Sequence, residues 1–183
     1  MIFLMLADGF EETEALVPLD LMRRAGIDVV TVGVGSKTVT GTHGITVTAD
    51  VTLADAVEKK CDGVVLPGGM PGTKNLYAES DVRETVLRAA ADGKMLAAIC
   101  AAPLIFGRLG LVDGKKAVCF PGFESELVGA TLCKTFCEVD GNVITAKGAG
   151  AVFDFSHAII AFLKDKALAD KILDDIQFSG TIR

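Results

Sequence analysis

The chain has 183 residues, of which 50% are hydrophobic, 23% charged and 6% aromatic, with 20 glycines and no tryptophan. A chain of this length buries about 70% of its unfolded surface in one domain without help from disulfides or metals, which excludes disordered, collagen-like and mini-protein architectures. Eighteen Lys+Arg against 24 Asp+Glu leave a formal charge of −6; it repels phosphate backbones and anionic lipid, so neither nucleic acid nor a membrane is an expected partner.

Met1–Ala7 is apolar, but it has no basic leader and runs directly into Asp8-Gly9-Phe10-Glu11-Glu12, unlike a secretory signal or membrane span. A cytoplasmic location is expected. Within that stretch Ile2–Ala7 has strand length, and after a turn at Asp8-Gly9 a helical pattern runs from Glu11 to Ala25, ended by Gly26. Valine-rich Asp28–Val34 predicts the second strand, and Thr38–Thr40 with Ile45–Thr48 predicts a small hairpin or edge excursion about Gly41–Gly44. A short helix over Leu53–Lys59 follows, then a strand over Gly63–Leu66 that stops at Pro67-Gly68-Gly69-Met70-Pro71-Gly72. Next come a helix over Asp81–Ala91, a strand over Met95–Ile99 and a helix beginning immediately after Cys100 and ending near Gly107–Gly110. Lys116–Cys119 reads as a strand, Glu138–Thr145 as a hairpin about Asp140-Gly141-Asn142, and Val152–Leu163 and Leu168–Ile176 as two closing helices. No linker, repeat or low-complexity stretch interrupts this order, so one domain over residues 1–183 is expected, with a mostly parallel sheet covered by helices on both faces. Ligands of such sheets bind outside the carboxyl ends of the strands.

Five cysteines, Cys61, Cys100, Cys119, Cys133 and Cys137, are an odd number without a CxxC pair, and the only histidines are His43 and His157. Neither a disulfide framework nor a zinc site has its spacing, and the Cys133-to-Cys137 interval reads as structural.

Three places at predicted strand ends can carry chemistry. Cys100 closes Met95-Leu96-Ala97-Ala98-Ile99 and leads without a linker into Ala101-Ala102-Pro103-Leu104; a strand that turns at once into a helix presents its junction residue on a strained elbow, and the free N–H groups of the helix start stabilise a thiolate. Cysteine is also a small hydrophobe that is often simply buried. Glu14 is the second: at 100° per residue it shares a face with Pro18, Leu21, Met22 and Ala25, whereas Glu12, Thr13, Asp20, Arg23 and Arg24 fall on the opposite arc. Burial of a carboxylate raises its pKa and yields a neutral acid able to donate a proton near pH 7; the bland alternative, an acidic residue complementing the helix dipole, suits Glu11 and Glu12 better. Leu16 is apolar on the polar arc, which points to contact with another subunit. The third is Pro67-Gly68-Gly69-Met70-Pro71-Gly72, whose amides can form an oxyanion hole, although it fits neither a dinucleotide fingerprint nor a Walker loop and can equally be a tight turn.

Taken together, Gly9-Phe10-Glu11-Glu12-Thr13-Glu14, Val65-Leu66-Pro67-Gly68-Gly69 and Ala97-Ala98-Ile99-Cys100-Ala101-Ala102-Pro103 resemble the ThiJ/PfpI superfamily, in the branch of the parkinsonism-associated protein deglycase and its bacterial relatives. Met22-Arg23-Arg24-Ala25-Gly26-Ile27 and Lys147-Gly148-Ala149-Gly150 add to the likeness, which spans residue 2 to about residue 163. The resemblance implies a flavodoxin-like three-layer α/β sandwich and a homodimer formed through the first helix, including Leu16. It implies that Cys100 is the nucleophile, that a protonated Glu14 hydrogen-bonds it, and that the amides of Gly68, Gly69 and Ala101 serve the oxyanion or substrate. The activity implied is cofactor-independent conversion of 2-oxoaldehydes such as methylglyoxal to hydroxy acids, or removal of their adducts from amines and thiols, without metal or nucleotide. Oxidant sensing or chaperone action through the same cysteine is the alternative. Phe120 stands before Pro121 where the family's parkinsonism-associated member has a histidine, and Ala101 follows the cysteine where protease-like members have one, so a Cys-His-acid triad and peptidase activity are not expected. His157 is followed by Ala158 and Ile159, which lacks the His-x-Glu pair of class I glutamine amidotransferases, and is expected to pack inside or beside its helix. The resemblance places His43, Phe120 and Gly148 at the pocket edge, although His43 also reads as a solvated loop residue.

Overall fold

The computed structural model describes residues 1–182. In chain order its elements are β1 (Ile2–Ala7), α1 (Glu12–Arg24), β2 (Val29–Val34), β3 (Thr38–Thr40), β4 (Thr46–Thr48), β5 (Val51–Thr52), α2 (Leu53–Ala56) and β6 (Gly63–Leu66). There follow α3 (Gly72–Ala78), α4 (Ser80–Ala91), β7 (Met95–Ile99), α5 (Pro103–Arg108), β8 (Lys116–Ala117), β9 (Thr131–Leu132), β10 (Cys137–Asp140), β11 (Val143–Ala146), α6 (Val152–Leu163) and α7 (Lys166–Asp175).

Seven strands form the main sheet in the order β10-β11-β7-β6-β1-β2-β5. All neighbours are parallel except β10, which returns antiparallel on β11. The alternation of side chains explains the layers. Ile2, Leu4 and Leu6 of β1 face one core with Ala15, Leu21 and Met22 of α1 and Phe155, Ile159 and Ile160 of α6. Phe3, Met5 and Ala7 face the other, with Val82 and Val86 of α4 and Leu104, Ile105 and Phe106 of α5. Both faces of β1 are therefore buried, as a parallel strand requires, and each fully buried large apolar side chain contributes about 1.5–3 kcal/mol. The expected three-layer α/β sandwich is the observed one.

The chain runs outward from β1 to β2 and β5, then returns to place β6 on the other side of β1. That reversal opens a crevice at the carboxyl ends of β1 and β6. The segments after β1, β6 and β7 converge there and carry Glu14, Gly68 and Cys100. Leu16 is half-buried and lies outside both core layers. His157 on α6 bonds Asp170 of α7 at 2.7 Å, beside its helix as expected. No helix among the described residues is long and apolar enough to cross a membrane.

Two departures bear on the site. The helix expected directly after Cys100 begins at Pro103, because the turn Ala102 N–H to Ile99 C=O (3.0 Å) intervenes and the proline takes the first helical position. The strand expected over Lys116–Cys119 narrows to Lys116–Ala117, paired in parallel with Thr131–Leu132.

Candidate active site

Cys100 occupies a left-handed conformation, φ +65°. For a residue with a side chain this costs on the order of 1–3 kcal/mol and persists only where neighbours over-determine it. Here they do. The Cys100 N–H donates to the Ala146 carbonyl (2.9 Å), extending the β7–β11 ladder, and the Cys100 carbonyl accepts from the Phe120 N–H (2.8 Å). The side chain is thereby turned out of the strand and toward the start of α1.

Glu14 reaches the same point from the first turn of α1. The Glu11 carboxylate caps that turn, accepting from the Glu14 N–H at 2.7 Å. Pro18, Leu21, Met22 and Ala25 are all buried with Glu14, so the face read from helical spacing is the one turned inward. Glu14 itself is 1% exposed. Its Oε2 accepts from the Gly68 N–H at 3.0 Å, and the carboxyl also hydrogen-bonds the Cys100 side chain and the Ala149 N–H. Burial pushes Glu14 up to about 7, helped by the charge of Glu11 and opposed by these hydrogen bonds.

The Cys100 thiol is pushed up to about 12, first by burial and then by the charge and hydrogen bond of Glu14, against the lowering pull of the Gly69 and Ala101 amides. A thiolate favoured simply by a helix start, as the sequence suggested, is therefore not what the surroundings provide. The two groups titrate as a pair. Above about 7 the carboxyl is ionised while the proton stays on the sulfur, which burial and Glu14 push up to about 12 and which lies within reach of the Glu14 carboxylate. With that proton on Glu14, the acid donates to a thiolate faced by two amide donors.

The glycines of the loop after β6 have separate duties. A Cβ on Gly68 would lie 2.6 Å from the Cys100 Cβ and 2.6 Å from Glu14 Oε2, so only glycine lets these side chains meet. Its amide is already committed to Glu14, which corrects the expectation that Gly68 serves the oxyanion; Gly69 and Ala101 remain as amides facing the sulfur. Gly69 sits at φ +91°, with its Cβ position 2.5 Å from the Glu11 nitrogen. Gly68→Ala should push Glu14 and Cys100 apart and, for a reaction in which the two act together, lower kcat/KM by about 100-fold, since displacements near 1 Å cost that much. Overpacking should cost only about 1–3 kcal/mol. Parallel rate and urea-melt measurements check both figures, and an active, equally stable variant would contradict them.

Beside Glu14 opens a cleft of about 330 Å³, lined by Phe120, Pro121, Phe136 and the 147–151 segment. Phe120 and Gly148 thus stand at the pocket edge. His43 does not line that cleft. It sits on the other side of the start of α1, where its ring nitrogen bonds Glu12 at 2.8 Å and its side chain is 70% exposed. Glu12, assigned to the solvent arc by helical spacing, is in fact buried. Its carboxylate gathers the 41–45 loop, accepting from the His43 N–H (2.7 Å), the Thr42 hydroxyl (3.2 Å) and the Ile45 N–H (3.4 Å). Burial pushes Glu12 up, but the bonds from His43 and the loop amides prevail and hold it at about 2. Glu11, Glu12 and His43 bring ligand-type atoms within 4.8 Å of one another, yet both oxygens of Glu12 are engaged in closing the loop. Sequence reading passed over this clasp because His43 lies 31 positions from Glu12 and no local period links them.

Fold and site together define a class of protein: α/β sandwiches with a cysteine on a strained turn at the carboxyl edge of a parallel sheet and an acid facing it. The model of the DJ-1/PfpI family matches residues 1–162, and the chain belongs to that family. Protein DJ-1 homolog B of Arabidopsis thaliana is 39% identical over 167 residues, 88% of this chain and 38% of its own length. With 44% for homolog A, the chain spans less than half the length of these two relatives. A DJ-1 superfamily protein of Salmonella typhimurium, crystallised as a cysteine-to-alanine mutant, superposes with a TM-score of 0.92 at 36% identity, covering 98% of each chain. A deglycase of Pyrococcus abyssi is 27% identical over 165 residues, 89% of this chain and 99% of its own length.

Proposed function

We propose that this chain is a cofactor-independent enzyme that uses Cys100 to convert 2-oxoaldehydes such as methylglyoxal to hydroxy acids, or to release their adducts from amines and thiols. The observation that carries the reading is the contact between the buried Glu14 carboxyl and the Cys100 side chain beneath the Gly69 and Ala101 amides. An acid beside a nucleophile and two amide donors is a set suited to carbonyl addition. The deglycase name of the Pyrococcus abyssi relative adds support.

The thiolate adds to the aldehyde carbon, and the new hemithioacetal oxyanion is held by the two amides. Glu14, ionised once its proton has passed to that oxygen, removes the hydrogen from the former aldehyde carbon and returns it to the neighbouring carbonyl carbon, while the proton on the first oxygen passes to the second. The result is a thioester of the 2-hydroxy acid. Water hydrolyses it, freeing the acid and the thiol. One carbon is oxidised and its neighbour reduced, so no outside oxidant or reductant enters.

The test is lactate formation from methylglyoxal in buffer free of Tris and added thiols, which trap the aldehyde themselves. Lactate accumulating in proportion to protein over many turnovers is the expected result. Its absence, with Cys100 shown to be reduced, would remove this reading and leave oxidant sensing through the same cysteine.

A further inference from the structure

We propose that the cleft beside Glu14 is a subsite for a flat aromatic substituent, so that the site selects aryl 2-oxoaldehydes such as phenylglyoxal over methylglyoxal; this rests on the 2-oxoaldehyde reading above. A methyl group fills roughly 30 Å³, about the share of one water molecule, whereas the cleft offers about 330 Å³. Its volume is within the usual range for ligand pockets of mostly apolar lining.

The lining is suited to a ring. Phe120 is 46% exposed, and its N–H bond to the Cys100 carbonyl, 2.8 Å long, ties its position to that of the nucleophile. Phe136 also lines the cleft, half-buried, with Lys147 Nζ 5.7 Å from its ring centre. Small residues, Gly148, Ala149, Gly150 and Ala151, form much of the remaining lining, with Pro121 and Lys147. A Cβ at Gly148 would come within 3.2 Å of the Phe120 ring and 3.9 Å of Glu14 Oε1, so a group lying against this glycine is next to both the aromatic wall and the acid. Ring planes offset or edge-on at about 4.5–7 Å attract one another beyond simple burial. An aryl group held against Gly148 lies beside Glu14, while a methyl group leaves the cleft to water.

Phenylglyoxal plus water gives mandelate by the same internal transfer that gives lactate from methylglyoxal, so the two substrates compare directly. The expected ratio of kcat/KM, phenylglyoxal over methylglyoxal, is about ten or more, in line with the discrimination an apolar pocket provides. Phe136→Ala should bring the ratio down toward one. Gly150→Leu should do the same by adding bulk instead of removing it, because the Cβ position at Gly150 meets nothing within 4 Å and the backbone there tolerates a side chain. Lactate formation with no preference for phenylglyoxal would overturn the subsite and leave the enzyme reading intact. Turnover of neither substrate would overturn the enzyme reading. Saturation-transfer NMR with mandelate and lactate then decides the subsite: a mandelate signal that disappears in Phe136→Ala sustains it, and mandelate no better bound than lactate removes it.

Discussion

Cys100→Ser should leave methylglyoxal consumption at the level of buffer, a loss of about 10⁴-fold or more in kcat. A serine hydroxyl fits the same turn, so the substitution removes nucleophilicity and little else. Its proton is far harder to remove than that of a thiol, and the one base at hand, Glu14, has an affinity for protons set near 7. Such a base transfers a proton to and from a thiolate but cannot populate an alkoxide. The bonds that hold the elbow, from the residue-100 amide to Ala146 and from Phe120 to the residue-100 carbonyl, involve backbone alone. Unfolding free energies of the variant and the wild type should therefore agree within about 1 kcal/mol. Lactate production by the serine variant above the buffer rate would show that some other group attacks the aldehyde.

Glu14→Gln should lower kcat/KM by about 10²–10⁴-fold while making the protein more stable at alkaline pH. Glutamine preserves shape and can still accept from Gly68, but it cannot carry the proton between adjacent carbons. In the wild type the pair holding one proton forms as pH rises through about 7 and lasts until about 12. The rate should accordingly climb with a midpoint near 7, and the glutamine variant should lack that step. Stability runs the other way. The folded Glu14 binds its proton more tightly than the unfolded chain, whose carboxyl has the ordinary value of 4.5. The stabilisation from this group is complete below 4.5 and lost as pH rises through about 7, about 3 kcal/mol at most. Urea melts at pH 4.5, 6 and 8 should show the difference between variant and wild type growing with pH in the variant's favour. A constant difference would mean that Glu14 ionises in the fold as easily as in water.

Much of the frame was legible in the chain. The apolar run Ile2–Ala7, the strand Gly63–Leu66 and the helix Val152–Leu163 have their predicted limits, because strands buried on both faces and a strongly apolar helix announce themselves locally. The inward turn of Glu14 was also legible, since helical spacing sets it among Pro18, Leu21 and Met22. What local pattern could not give was anything decided across the chain. The helix Gly72–Ala78 follows a proline- and glycine-rich loop, has no side-chain cap and is seven residues long; its start signal is hidden among breakers. Strand Thr131–Leu132 exists only as the partner of Lys116–Ala117. Glu12 is buried because a loop some 30 residues away folds over it, a tertiary effect that overrides its place on the helix wheel. The fate of the Gly68 amide, and the height to which burial drives the Cys100 thiol, likewise depend on distances between segments that only the folded chain sets.

The strained turn at Cys100 is fastened by Ala146, the last residue of β11, and by Phe120. The first fastening belongs to the main sheet, and releasing it means unzipping the end of β11 from β7. Cys100 is thus tied to the main sheet: it is set in place when β11 closes on β7, and heat or denaturant frees it when that end of the sheet opens.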